Sequence, residues 1–429
     1  MGLDGGESKP AIDQSDPIQE MVNTMTIERM NYPDGYFPED EYLARWEKVH
    51  AEMRLRQYDI AIVWGKTAGH YERAMETLWL TNFWSEHSGQ EPDSPIWNAR
   101  GFCCVILQPG KTPELHGDVA EVRRSLVRCG DYHFSDDPIS SVARSLAARK
   151  PQGSVVFVGS DCLPVKYAKQ LEALTPGIRY TYDDNLVRRC RRIKSPRELD
   201  LFREAGEMVS SALYRVCDSL YAGKTCAEAA AEGAHELTRR GGGWLRIPIN
   251  YGSDADSRFF ERDPMYGYSQ QAPQKGDMLR TWIYGPTHQG YWLDPGRSLV
   301  CGGKPTEAQK SLLIDSYAIT DAVLKSARHG VRVLDVVAEA ERVQRSVADE
   351  HDLASDQWPY FGHGNGSMWE HPIINRDSVT PDDYFEEGMV ASGESFMTRS
   401  GVGSVGWEQN FIVTRDGIEL LTTTPVFWF

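Results

Sequence analysis

An α/β domain followed by an α+β domain is the fold class predicted by the sequence, on three observations. Short apolar runs alternate with helical patterns up to about residue 185. A basic stretch, Arg188–Lys194, which reads as an exposed boundary, then leads into a helix-start signal at Ser195. Beyond it, paired helical segments give way to strand-like stretches that run to the end of the chain.

Taken in order, residues 1–30 are polar, lack a clear period and read as an arm. Residues 31–187 form the expected α/β domain. Its first helix spans Glu39–Arg56, with Leu43, Trp46, Val49 and Met53 recurring at three- and four-residue steps. The apolar runs Tyr58–Trp64, Phe102–Leu107 and Ser154–Val158 read as strands. Residues 188–429 form the second domain. Ser195, Pro196 and Glu198 are an N-cap, a first-turn proline and a capping-box glutamate, and they start a helix that runs to about Leu220. A second helix, Cys226–Arg240, stops at the glycine run 241–243. Strand-like stretches follow at 245–251, 277–284 and 291–301. Two more helices are expected, one capped at Thr306 and reaching about Ala327, the other over Leu334–Ala348.

Composition narrows the function. Across 429 residues, Lys+Arg 46 against Asp+Glu 62 gives a net charge of −16, which repels phosphate backbones and argues against nucleic acid as a partner. No apolar run reaches the roughly 18 residues of a membrane span, and the polar N-terminus does not read as a secretory signal. A cytoplasmic protein without a membrane partner is expected. The eight cysteines form no CxxC pair and read as reduced thiols.

The chemistry gathers in four polar residues placed where strand patterns predict burial. Asp294 ends Gly290-Tyr-Trp-Leu-Asp294 on the return strand of an expected hairpin, and His288 sits in its turn, where exposure is expected. His363 lies in the glycine-rich Phe361-Gly-His-Gly-Asn-Gly366, Glu394 follows Gly388-Met-Val-Ala-Ser-Gly393, and Glu408 precedes an apolar strand. Three carboxylates and a histidine are too costly to bury together unpaired, and a divalent cation removes that cost. The oxygen-and-imidazole donor set suits Mn, Fe, Co or Zn rather than a thiolate site.

These motifs, in this order, resemble the M24 metallopeptidases of the pita-bread fold, which include aminopeptidase P, prolidase, methionine aminopeptidase and creatinase. The resemblance covers about residue 188 to the end, with residues 31–187 similar to the creatinase-type N-terminal domain. It implies a pita-bread catalytic domain over 188–429, a metal held by Asp294, His363, Glu394 and Glu408, a small-molecule substrate, and a homodimer. Three departures are informative. The family's first metal Asp is replaced in the Trp282-Ile283 region, so the resemblance implies one metal ion, with Trp282 in the vacated space. The 250–263 stretch has no counterpart of the upstream peptidase His. The His-Glu pair expected after the glycine-rich motif is replaced by Met368-Trp-Glu-His-Pro372.

An ordinary Xaa-Pro peptidase is therefore not expected; hydrolysis of a C–N bond in a small polar substrate is. One alternative is a lyase, because Arg239-Arg-Gly-Gly-Gly-Trp244, together with Glu370 and Pro372 seven and nine residues after His363, is similar to DMSP lyases of the DddP type. Another is a peptide-binding module without catalysis. His371 and Glu370 are the candidate acid–base groups. Trp282, Tyr284 and Trp369 are the candidate aromatic wall of the substrate pocket.

Overall fold

The computed structural model describes residues 37–67, 74–84, 101–119, 122, 125–252, 267–348, 351–352 and 360–429. The polar arm expected over 1–30 lies outside these residues, as does the 253–263 stretch without its histidine.

The chain begins with α1 (Glu39–Leu55), β1 (Tyr58–Lys66), α2 (Met75–Thr81), β2 (Phe102–Leu107), β3 (Glu114–Gly117) and β4 (Asp131–Phe134). It continues through α3 (Pro138–Arg149), β5 (Ser154–Val158), α4 (Val165–Leu174), β6 (Tyr180–Tyr182) and α5 (Asn185–Arg191). The six strands form one mixed sheet in the order β4-β3-β2-β1-β5-β6. Strands β1, β2 and β5 are apolar on both faces because helices cover the sheet, so they read as continuous hydrophobic runs. Helix α1 buries Tyr42, Arg45, Trp46, Val49 and Met53, while Leu43 is 52% exposed. Trp46, Val49 and Met53 thus form the expected stripe, and only Leu43 gives up its place, to Tyr42.

Two long helices follow, α6 (Pro196–Tyr221) and α7 (Cys226–Arg239), each opened by a reciprocal capping box, Ser195/Glu198 and Thr225/Glu228. Then come β7 (Ile249–Tyr251), β8 (Met278–Trp282), β9 (Gly285–His288), β10 (Tyr291–Leu293) and β11 (Gly296–Val300). The expected single strand over 291–301 is broken at Asp294-Pro295, because Pro295 has no N–H for a ladder. Helices α8 (Glu307–Ser326) and α9 (Val333–Val347) precede β12 (His363–Asn365), β13 (Trp369–Ile373), β14 (Val390–Arg399), β15 (Gly403–Val413) and β16 (Ile418–Leu420). Eight strands make the second sheet, in the order β13-β12-β14-β15-β11-β8-β7 with β16 on β15. Every residue of β14 and β15 is buried, polar ones included, so this sheet carries the site.

Two ion-pair networks lock helices against the strands of that site. Glu198 of α6 accepts from Arg45 at 3.2 Å, Trp79 at 2.9 Å and the Tyr291 hydroxyl at 2.6 Å. Tyr291 opens β10, the strand that delivers Asp294. The basic stretch 188–194 is not the exposed boundary expected. Arg191 and Lys194 are 3% and 6% exposed, because the buried carboxylates of Glu76 and Glu370 face them.

The packing of α6 on α7 depends on another buried carboxylate. Burial pushes Glu236 up, but hydrogen bonds from Ser211, Arg240 and Arg239 outweigh it and hold the group down at about 2. A carboxyl depressed from 4.5 contributes its full stability above that value and loses it as pH falls from 4.5 towards 2. Glu236→Gln should therefore cost about 1–2 kcal/mol at neutral pH. It should also flatten the loss of stability below pH 4.5, as urea unfolding across pH 2–7 would show.

Candidate metal centre

Strand alternation and register bring the site together. Gly296 of β11 pairs with both Trp282 of β8 and Glu408 of β15, and Glu408 pairs across the ladder with Glu394 of β14. Asp294 occupies the link between β10 and β11, and His363 opens β12. None of the four expected ligands is more than 5% exposed.

Three of them form a compact group. The ligand atoms of Asp294, His363 and Glu408 all lie within 4.8 Å of one another. His363 Nε2 stands 3.4 Å from Asp294 Oδ2 and 3.4 Å from Glu408 Oε1. Its Nδ1 donates to the Gly364 carbonyl at 3.1 Å, which leaves the lone pair of a neutral imidazole on Nε2. Glu408 Oε1 is buried without a hydrogen-bond partner. Burial, and then the adjacent Asp294 charge, push the Glu408 carboxyl well above the ordinary carboxylate range. Donors bound to one ion at about 2.0–2.1 Å in a tetrahedral arrangement stand about 3.4 Å apart. Two carboxylates and one imidazole at this spacing, one oxygen lacking a partner, fit a divalent cation in geometry, charge and donor type. Glu394 lies outside the group, on the neighbouring strand. It stands directly across the ladder from Glu408, where cross-strand partners keep their Cβ atoms about 4.5–5.5 Å apart.

Neutral donors hold the carboxylates. Asp294 Oδ1 accepts from Asn365 Nδ2 at 3.0 Å and Asn410 Nδ2 at 2.8 Å, while Oδ2 accepts from the Trp369 indole at 2.7 Å and the Trp292 indole at 3.2 Å, so an ion at Oδ2 would take the place of the longer contact, to Trp292. Sequence reasoning missed Asn365, Asn410 and Trp292. The signal for them was spacing: each sits two residues from a site residue, hence on the same face of its strand.

The aromatic residues surround this group. Trp282 donates from its indole to Glu408 Oε2 at 3.0 Å and stacks on Phe396 with ring centroids 5.0 Å apart. Its ring fits only because residue 296 is glycine: a Cβ there would stand 2.0 Å from the indole. One Glu408 oxygen thus faces the imidazole and the other is held by the Trp282 N–H. Trp369 lies against His363 at 4.7 Å and is 48% exposed, covering the site from the solvent side. Tyr284 stands one layer out, stacked on Trp292 at 6.0 Å.

The two acid–base candidates are separated. Glu370 accepts from Lys194 Nζ at 3.0 Å and stands 3.6 Å from Arg191. It is a buried anchor outside the ligand group, which corrects its reading as an acid or base. Two cations hold its charge in place. His371 pairs with Asp383 through Nε2 at 2.7 Å. His371 falls where the register between β12 and β13 shifts, between the pairs His363–Ile373 and Gly364–Glu370. His288 is also corrected. Its side chain is 11% exposed and bonds Glu204 at 3.2 Å, because the turn residues are Gln289 and Gly290 rather than His288 itself.

Trp369→Phe should keep the ring over His363 while removing one donor from Asp294. Metal affinity should fall on the order of 10-fold, with unfolding near that of the parent, as metal titration beside thermal melting would show.

The chain is similar to known proteins over most of its length. The model of metallopeptidase family M24 matches residues 200–415. An Xaa-Pro dipeptidase from Lactobacillus helveticus is 24% identical over 329 residues, which are 75% of this chain and 83% of that protein. The crystal structure of dipeptidase PepE from Mycobacterium ulcerans superposes with a TM-score of 0.71 at 21% identity, covering 91% of this chain and 99% of that one. The prolidase from Pyrococcus horikoshii OT3 gives 0.69 at 18% identity, covering 89% and 99%. At these identities the structures speak for the fold, a pita-bread catalytic half behind an α/β half. With the family model spanning half of its length and the site in place on that fold, the chain belongs to metallopeptidase family M24 and is a metal-dependent hydrolase.

Proposed function

We propose that the protein hydrolyses a C–N bond of amide type in a small polar substrate with a single divalent transition metal. Asp294, His363 and Glu408 would hold the ion, with Glu394 reaching from across the ladder as the fourth ligand. The carrying observation is the asymmetry of Glu408. Its Oε1 faces His363 without a partner, while its Oε2 is taken by the Trp282 indole, on the side where dinuclear relatives have their first Asp. Bound there, a divalent ion supplies Lewis acidity, polarising a substrate carbonyl and lowering the pKa of water.

The chain's own residues do the rest. Asn365, Asn410 and the two indoles fix Asp294 in position. Trp369 and Trp282 narrow the space around the ion, which favours a small substrate over a long peptide. His371, oriented by Asp383, transfers the proton to the leaving nitrogen. The names of the relatives, dipeptidase and Xaa-Pro dipeptidase, support a dipeptide-sized amide as the substrate class. The departures around the metal argue against ordinary Xaa-Pro preference.

The test is metal analysis and a substrate panel on chelator-stripped, reloaded protein. About one metal per chain is expected at this centre, lost from it in His363→Ala. Small amides should release a free amine, and Gly-Pro or Ala-Pro should be turned over with kcat/KM below about 10⁴ M⁻¹s⁻¹. His371→Ala should keep its metal and lose roughly 10²–10⁴ in kcat. Two tightly bound metals at the Asp294–His363–Glu408 centre, both lost in His363→Ala, or fast Xaa-Pro hydrolysis, would overturn the reading. An alkene product without an amine would move the protein to the lyase class, and metal binding without turnover would make it a binding module.

A further inference from the structure

A second group of metal-ligating side chains lies on the other sheet. Strands β3 and β4 run parallel at its edge, with Glu114 opposite Asp131 and His116 opposite His133. Residues two apart on a strand share a face, so these four side chains start from the corners of one square on one face of the sheet. Three of them converge: the ligand atoms of Glu114, His116 and His133 all lie within 4.8 Å of one another. The imidazoles of His116 and His133 stack with centroids 4.6 Å apart and 21° between their planes. His116 Nε2 stands 3.4 Å from Glu114 Oε2.

Helix α3 supplies the outer contacts that a metal site needs. His116 Nδ1 is bonded to Ser141 Oγ at 2.9 Å, which orients the ring and leaves Nε2 turned to the group. Ser145 donates to Glu114 Oε2 at 2.7 Å, and Arg149 pairs with Glu114 Oε1 while donating to Gln108 at 2.7 Å. Each carboxylate oxygen has two lone pairs, so Oε2 keeps one for a cation while Ser145 uses the other. Burial, and then the neighbouring His133, hold His116 down at about 4, so its ring is neutral at physiological pH, as a ligand must be.

We propose that Glu114, His116 and His133 form a second metal site that takes a divalent ion of the zinc, cobalt or nickel kind. Two imidazoles and one carboxylate are the donors such ions prefer. The ion would tie the short edge strand β4 to β3 and, through the outer contacts, to α3. The Arg149 charge beside it makes the site weaker than the buried centre. Asp131 at the fourth corner, or water, would complete the coordination.

The experiment is zinc titration by calorimetry of untagged, full-length, chelator-stripped protein. The background is His363→Ala, which silences the centre on the second sheet. One zinc per chain is expected there. His133→Asn in the same background should weaken that event on the order of 10²-fold, and His133→Asn alone should leave hydrolysis as in the parent. No zinc uptake in His363→Ala, or the same uptake with and without His133, overturns the proposal. If His363→Ala fails to fold, the parent is compared with His133→Asn directly. Loss of one of two binding events supports the site, and an unchanged isotherm overturns it. A failure of the hydrolytic reading would show in turnover and leave these stoichiometries untouched.

Discussion

Two carboxylates buried beside one imidazole are the costliest feature of this molecule, and much of the second sheet is arranged around them. Asp294 and Glu408 carry like charges within reach of one another, away from solvent, where the cost of each uncompensated charge is several kcal/mol. The structure meets this in two ways. Neutral N–H donors crowd Asp294 and one side of Glu408, and the remaining oxygen of Glu408 stands open beside a lone pair of His363. A cation satisfies what the donors leave over. Burial and the Asp294 charge push the Glu408 carboxyl up, so its protonation opposes metal binding.

Setting an indole against Glu408 involves more than one residue. Trp282 needs room, and the room comes from Gly296 and Gly406, whose Cα positions would otherwise carry a Cβ into the ring at 2.0 Å and 2.7 Å. Phe396 supplies the face it stacks on. An N–H brings a partial positive charge and a direction where a second ion would bring two full charges, so Glu408 can serve one metal only from its other oxygen. Trp292 and Trp369 make the same kind of contact with Asp294, so three indoles stand in the layer that orients the ligands.

The position of this layer is set from outside the sheet. Glu198 gathers Arg45, Trp79 and Tyr291 into one buried cluster, and Tyr291 stands three residues before Asp294. Glu370 gathers Lys194 and Arg191 and sits next to Trp369 in sequence. Each buried ion pair ties helices to a strand of the site at a point where losing one partner would leave the other charge stranded, at a cost of about 3–5 kcal/mol. These networks fix geometry more than they add stability.

How much of this was legible beforehand follows from the range of the forces involved. The helices that start at Ser195, Thr225 and Thr306 could be read because capping is local: donor and acceptor lie within four residues. Strands β1, β2 and β5 of the first sheet could be read because burial on both faces leaves an unbroken apolar run. Asp294, His363 and Glu408 stood out because a charged or titratable group in a strand pattern is locally conspicuous, and the family resemblance ordered them. The fates of Glu370, His371 and the 188–194 stretch could not be read. Glu370 and His371 are neighbours in the chain, yet one meets Lys194 and Arg191 and the other meets Asp383, partners 12 or more residues away. The sequence by itself determined which segments become helix or strand and which residues could serve as ligands. Only the tertiary structure decided which of them meet, because an ion pair or a hydrogen bond acts over a few ångströms of space and carries no mark of its distance along the chain.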